Sequence, residues 1–230
     1  MTARKTRVGI LISGRGSNMA SLIEAAQNPD YPAEVALIVS NRPDAGGLAR
    51  AEAAGIRTAV VDHTSFPDRA SFEAALAGEL DGAGIELVCL AGFMRIFTDG
   101  FVQARLGRML NIHPSLLPSF KGLHPHRQAL DAGVRVHGCT VHFVVPELDS
   151  GPIVAQAAIP VLAGDTEEAL AARVLAEEHR LYPLGLALVA TGAAWLEGGR
   201  TLFAGSAETA LGLASRQVSA GSGSGVATSA

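Results

Sequence analysis

The sequence predicts an α/β protein built on a doubly wound, mostly parallel sheet with an antiparallel C-terminal portion. Two observations carry this. Through the first half, short apolar runs alternate with helix-patterned stretches, the rhythm of parallel strands joined by crossover helices. After His113 the rhythm breaks, and two longer strand-like runs follow with only PELDSG between them, a turn rather than a crossover.

Each element follows from its own pattern. RVGILIS (residues 7–13) is short, β-branched and closed by glycine, as a buried strand is. SNMASLIEAAQ follows with Met19, Leu22, Ile23 and Ala26 at the i, i+3, i+4, i+7 spacing of one helix face. EVALIVS (34–40) is a second strand, GGLARAEAAG a second helix ended by Gly55, and TAVVD (58–62) a third strand. Residues 68–81 make a third helix with Phe72, Ala75, Leu76 and Leu80 on one side. ELVCLAG (86–92) is apolar throughout and so buried on both faces, and MLNIH (109–113) is a fifth strand. HPSLLPSFKGLHPH holds three prolines and must be a structured loop. HRQALDAG is a short helix capped by Gly133, and VHGCTVHFVV and PIVAQAAIPV are the two longer strands. From Thr166 to about Leu188 the pattern is helical, with Thr166 as N-cap and acids in the first turn. Pro183 is expected to kink or interrupt that helix, and WLEGGRTLF is a terminal hairpin. These boundaries give one domain over residues 1–213 and a Ser/Gly/Ala-rich, disordered tail over 214–230.

Composition removes several function classes. With 18 basic and 22 acidic side chains the net charge is −4, so no basic excess exists to hold nucleic acid. No apolar stretch is long enough to span a membrane, and Val8–Ile12 is too short for a signal-peptide core. Cys89 and Cys139 form neither a disulfide framework nor a zinc spacing, which suits a reducing, cytoplasmic setting. The 26 glycines are a surplus, and they direct attention to the turns.

Four features carry chemistry. In SGRGSN, Gly14 and Gly16 permit a tight turn, and Ser17 and Asn18 open the following helix. Free N–H groups there suit one phosphate; the alternative is a plain turn with Ser17 as N-cap. Asn111 and His113 stand at i and i+2 of one strand, so amide and imidazole share a face and can converge on one oxyanion. The alternative is that they only pin the proline loop. Asp149 in ELDSGP either initiates a turn or folds back on His113, holding its tautomer and raising its pKa. Met94, Ile96 and Phe97 in AGFMRIF either line a pocket for a flat heterocycle or form a satellite cluster. His124 and His126 with Asp149 make a weak metal-ligand set in a proline loop, and no metal is expected. His142 reads as a core histidine satisfied by a hydrogen bond, Cys89 as packing, and Cys139 as an unfavoured nucleophile beside His137.

Taken in order, SGRGSN, AGFMRI, NIHPSLLP, GLHPHRQAL, HGCTVHFV and ELDSGP closely resemble the folate-dependent formyltransferases over roughly residues 7–200. The intact phosphate turn points to the branch that works on a ribonucleotide in purine biosynthesis. A chain of this length is expected to lack the extra C-terminal domain of a methionyl-tRNA formyltransferase and the N-terminal regulatory domain of a formyltetrahydrofolate deformylase. The resemblance implies a Rossmann-like formyltransferase fold and formyl transfer from 10-formyltetrahydrofolate, as co-substrate and without metal, to the amine of glycinamide ribonucleotide. It implies that Asn111 and protonated His113 stabilise the oxyanion, and that Asp149 positions His113 and holds a proton-relaying water. Gly16, Ser17 and Asn18 would hold the phosphate and Glu178 the rest of the ribonucleotide. The folate would meet Arg69, Met94, Arg95, Ile96, Phe97, Asn111 and the turn from Val145 to Asp149. On this basis the N-terminal half serves the ribonucleotide phosphate and the C-terminal half the folate. Small-molecule substrates are the only partners implied, with no nucleic acid and no membrane, for a monomer or homodimer. Leu175 and Pro146 depart from the family pattern, Leu175 where a polar side chain is common near the phosphate and Pro146 where an acid is common. The rivals are a deformylase acting on water, a His/Asp metallohydrolase and a non-catalytic nucleotide-binding module.

Overall fold

In the computed structural model, which describes residues 4–205, β1 (Thr6–Ile12) turns through two glycines into α1 (Ser17–Ala26). β2 (Ala33–Ser40), α2 (Gly46–Ala53) and β3 (Thr58–Val60) complete the first wing of the sheet. α3 (Arg69–Gly82), β4 (Leu87–Leu90), α4 (Asp99–Gln103) and β5 (Met109–His113) make the second. The proline loop and α5 (Pro125–Asp131) lead to β6 (Val136–Phe143) and β7 (Ile153–Pro160). α6 (Glu167–Ala190) and a hairpin of β8 (Ala194–Glu197) and β9 (Arg200–Phe203) finish the described chain.

The seven-stranded sheet runs β3-β2-β1-β4-β5-β6-β7, and the hairpin forms a separate two-stranded sheet. Pairing is parallel from β3 to β5 and antiparallel from β5 to β7, as the two rhythms of the sequence require. The chain leaves β1 towards β2 and later returns to β4 on the other side of β1, so the carboxyl ends of β1 and β4 flank a switch point. Ligand crevices of open α/β sheets lie there. Both glycine-containing loops of interest, after Ile12 and after Leu90, start at that edge.

Two apolar layers explain why the central strands are hydrophobic on both faces. Val8, Ile10 and Ile12 of β1 pack with α1, α2 and α6, while Leu11 packs with Phe72, Leu76 and Leu80 of α3. Tyr182 on α6 is fully buried, and its hydroxyl lies 3.0 Å from both the Leu90 and the Leu110 carbonyl oxygens. One phenol therefore bridges β4, which ends at the switch point, and β5, which carries Asn111.

Three expectations need correction. Pro183 does not interrupt α6, which runs unbroken from Glu167 to Ala190. Leu181, Tyr182 and Leu186 are buried on either side of it, and this packing outweighs the one backbone bond that proline removes. TAVVD forms only three residues of strand, because β3 is the sheet edge and pairs with β2 over Thr58–Val60 alone. α5 starts at Pro125 rather than His126, since a first-turn proline has no N–H to lose. No helix among the described residues is long and apolar enough to cross a membrane. The tail assigned to residues 214–230 lies outside the described residues.

Candidate active site

The turn between β1 and α1 is built by backbone rather than side chains. Gly16 adopts φ 68° and ψ 38° as the residue before α1, and no side chain caps that end. Ser17 is the first helical residue, not the N-cap expected in the bland reading: the left-handed step at Gly16 has already carried the chain into the helix. First-turn N–H groups are thus left free to face a ligand. Behind the turn, the Gly47 N–H donates to the Gly14 carbonyl at 3.0 Å. A Cβ on Gly47 would lie 2.5 Å from the Ile12 side chain and 3.2 Å from that same oxygen, so α2 can brace the turn this closely only through glycine.

Glu178 reaches the turn from α6. It is buried, and its Oε2 accepts from Asn18 Nδ2 at 2.6 Å. Burial pushes its carboxyl up to about 7, opposed by the Asn18 hydrogen bond. Ionisation beside the turn is thereby suppressed near neutrality. Asn18 Oδ1 is buried with no hydrogen-bond partner among the described residues.

A carboxyl whose pKa is higher folded than unfolded holds an extra proton in the native state between pH 4.5 and about 7. The native state is therefore penalised progressively as pH rises through that window and evenly above it. Glu178→Gln removes the penalty. We expect melting temperatures equal to wild type near pH 4.5 and several degrees higher at pH 8, from up to about 3 kcal/mol. A wild-type-like melting temperature at both pH values would contradict the burial assignment.

Strand β5 delivers Asn111 and His113 to the opposite side of the crevice. Asn111 pairs with His142 across β5 and β6, and its Nδ2 lies 3.2 Å from His142 Nε2. His142 Nδ1–H donates to the Phe143 carbonyl at 2.9 Å, which leaves Nε2 as an acceptor for Asn111. Burial lowers the His142 pKa and keeps it in that neutral form. Asn111 spends one amide hydrogen on His142 and has a second for a ligand. The expected core histidine is thus also the group that orients Asn111.

His113 is buried, and its Nε2–H donates to the Phe120 carbonyl at 2.9 Å. Its Nδ1 faces Asp149 Oδ2 at 3.5 Å, so Asp149 folds back on the imidazole rather than only turning the chain. That carboxylate oxygen also accepts from the Gly122 N–H at 2.9 Å. With a carbonyl at one ring nitrogen and a carboxylate at the other, the pocket fits an imidazolium, which has a donor on each side. Phe120, His124 and Asp149 all have positive φ, at 56°, 56° and 49°. Such strain concentrates at functional sites; here it turns the Phe120 carbonyl and the Asp149 side chain onto His113. Neither Phe120 nor Gly122 was singled out from sequence, because each acts through a backbone atom.

The remaining expected residues divide. The Met94 N–H donates to Ser13 Oγ at 2.8 Å, tying AGFMRIF to the glycine turn after β1. Met94 and Ile96 are 71% and 60% exposed, open to a ligand. Phe97 departs from expectation: it is buried in the second core layer, stacked between Phe93 at 5.3 Å and Phe101 at 4.6 Å. Its ring supports the loop and is not open as a pocket wall. Arg69, at the start of α3, and Arg95 are exposed, and Val145 is half-buried before the Asp149 turn. The histidines considered as metal ligands separate. His124 caps α5, while His126 Nδ1 lies 3.2 Å from His137 Nε2. Among the described residues no group of three His, Cys, Asp or Glu is disposed to hold a metal ion. Cys89 and Cys139 are buried, and burial pushes the Cys89 thiol up to about 12 and the Cys139 thiol higher, which makes both inert.

Known proteins resemble this chain over most of its length. The formyl transferase family pattern matches residues 6–186. The trifunctional purine biosynthetic protein adenosine-3 of Bos taurus is 50% identical over 198 residues, covering 86% of this chain but 20% of that protein. The chain thus spans about one fifth of the trifunctional relative. The phosphoribosylglycinamide formyltransferase of Escherichia coli K12 is 46% identical over 198 residues, covering 83% of this chain and 93% of that one. Among solved structures, glycinamide ribonucleotide transformylase 1 from Symbiobacterium toebii superposes with a TM-score of 0.84 at 49% identity, covering 86% of this chain and 94% of that chain.

Proposed function

Because the chain belongs to the formyl transferase family, we propose that it transfers the formyl group of 10-formyltetrahydrofolate to the amine of N1-(5-phospho-D-ribosyl)glycinamide, a step of purine biosynthesis. The observation that carries this reading is the convergence of Asn111, His113 and Asp149 across the crevice from an uncapped helix start. One side suits a tetrahedral oxyanion, the other a phosphomonoester.

The ribonucleotide phosphate sits on the first-turn N–H groups after Gly16, held by Ser17 and Asn18, with Glu178 contacting the rest of the molecule. This explains why an enzyme with an anionic substrate carries a net charge of −4: backbone donors and one helix end replace a basic surface. The folate lies along Met94–Ile96 and the Val145–Asp149 turn, with Arg69 and Arg95 at the rim. The substrate amine attacks the formyl carbon and forms a C–N bond. The carbonyl oxygen becomes an oxyanion held by the second Asn111 amide hydrogen and by the positive charge of the adjacent protonated His113. Asp149 orients the ring through its contact with Nδ1. As the intermediate collapses, the bond to folate N10 breaks, and the proton lost by the amine reaches N10 through a water beside Asp149. Both substrates are small molecules, and no protein-bound intermediate is needed.

A deformylase would use the same three residues on water. Supplying 10-formyltetrahydrofolate with and without the ribonucleotide separates the two. We expect tetrahydrofolate to form at least about a hundredfold faster with the ribonucleotide present; formation at the same rate without it would overturn the proposal.

A further inference from the structure

Glu73 is a carboxylate that this mechanism does not use, yet it is only 4% exposed. It lies on α3, next to the Phe72, Leu76 and Leu80 that pack the second core layer. Burying a carboxylate is costly, and an apolar side chain would fill the same space without that cost. What the carboxylate supplies is two directional bonds to a single residue. Oε1 accepts the Thr98 N–H at 2.6 Å, and Oε2 accepts the Thr98 hydroxyl. The same hydroxyl accepts the Phe101 N–H at 3.3 Å and so caps α4.

Thr98 directly follows the segment AGFMRIF, and the Met94 N–H ties the middle of that segment to Ser13. Between these anchors, Met94, Arg95 and Ile96 are exposed, and no protein group among the described residues pairs with the backbone of Arg95 or Ile96. A stretch with open backbone groups needs fixed ends to keep one shape. We propose that Glu73 is a positioning residue for folate recognition: its grip on Thr98 sets the conformation of Met94–Phe97. This rests on the formyl-transfer reading above, which assigns that stretch to the folate.

The full chain is assayed with 10-formyltetrahydrofolate and glycinamide ribonucleotide, and tetrahydrofolate binding is measured separately by calorimetry. For Glu73→Ala we expect the KM for the folate, and the Kd for tetrahydrofolate, to rise about tenfold, the size of one charge-assisted hydrogen bond. The KM for the ribonucleotide and kcat at saturating folate should stay within about twofold. Glu73→Gln keeps an acceptor for the Thr98 N–H and should recover most of the loss. Were Glu73→Ala to fold poorly, Thr98→Val removes only the hydroxyl and should raise the folate KM alone. Unchanged folate KM and tetrahydrofolate Kd, an equal rise in both KM values, or no recovery with glutamine would overturn the proposal. If wild type binds tetrahydrofolate but transfers no formyl group to the ribonucleotide, the functional reading fails. The calorimetric comparison still decides the role of Glu73.

Discussion

Replacing His113 by alanine is expected to lower kcat by about a thousandfold, the weight of a positioned charge beside the oxyanion. The variant should fold normally. His113 lies at the end of β5, and its loss frees only the Phe120 carbonyl and one face of Asp149, whose carboxylate keeps the Gly122 N–H. Substrate KM values should change little, because the imidazolium acts on charge that develops only in the transition state. Asp149→Asn tests the other half of the pair. It preserves shape and removes the charge at 3.5 Å from Nδ1, so it too should lower kcat. Steady-state kinetics with a melting curve on each variant check this. Near-normal kcat in a folded His113→Ala chain would mean that another group holds the oxyanion.

The second large effect is structural. Gly151 follows the Asp149 turn, and a Cβ there would stand 1.6 Å from the Phe143 carbonyl oxygen and 2.8 Å from its carbon. Both are backbone atoms of a buried strand and cannot swing aside. That carbonyl also accepts from His142 Nδ1, and the Phe143 N–H donates to the Pro152 carbonyl at 2.9 Å. Gly151→Ala therefore pushes the turn off the strand edge. It is expected to cost about 4 kcal/mol or more in a urea titration, beyond the usual range for point substitutions, and to move Asp149 away from His113. Gly14→Ala is the matching control. Nothing lies within 4 Å of a Cβ at that position, so its stability should stay within about 1 kcal/mol of wild type. Equal stability of the two variants would contradict the close approach at Gly151.

What the sequence could reveal depended on how local the determining interaction is. β5 was legible to the residue, because MLNIH is bounded by polar loops on both sides, and the shared face of Asn111 and His113 follows from strand period alone. The left-handed step at Gly16 was not legible: a Ser after Gly in a strand-to-helix turn fits an N-cap equally well, and only the backbone path decides. The approach of Asp149 to His113 spans the whole β6 strand, so spacing allowed it without requiring it. Glu73 was missed for the same reason, since its carboxylate reaches a residue 25 positions away. An acid adjoining the apolar face of α3 was the only local hint of that contact. Phe97 differs, because its stacking partners Phe93 and Phe101 are only four positions away on either side and the local pattern does not say which way the ring turns. Pro183 shows the reverse case, where a strong local rule yields to packing along a long helix.

The account turns on the claim that the formyl carbon passes directly to the ribonucleotide amine within the Asn111–His113–Asp149 pocket. Following 10-formyltetrahydrofolate labelled with carbon-13 in the formyl group through a single turnover, by NMR, tests it most directly. The label should appear in the formamide of the ribonucleotide as tetrahydrofolate forms, and both signals should be lost together in His113→Ala. Label released as formate while the ribonucleotide amine stays unmodified would contradict it.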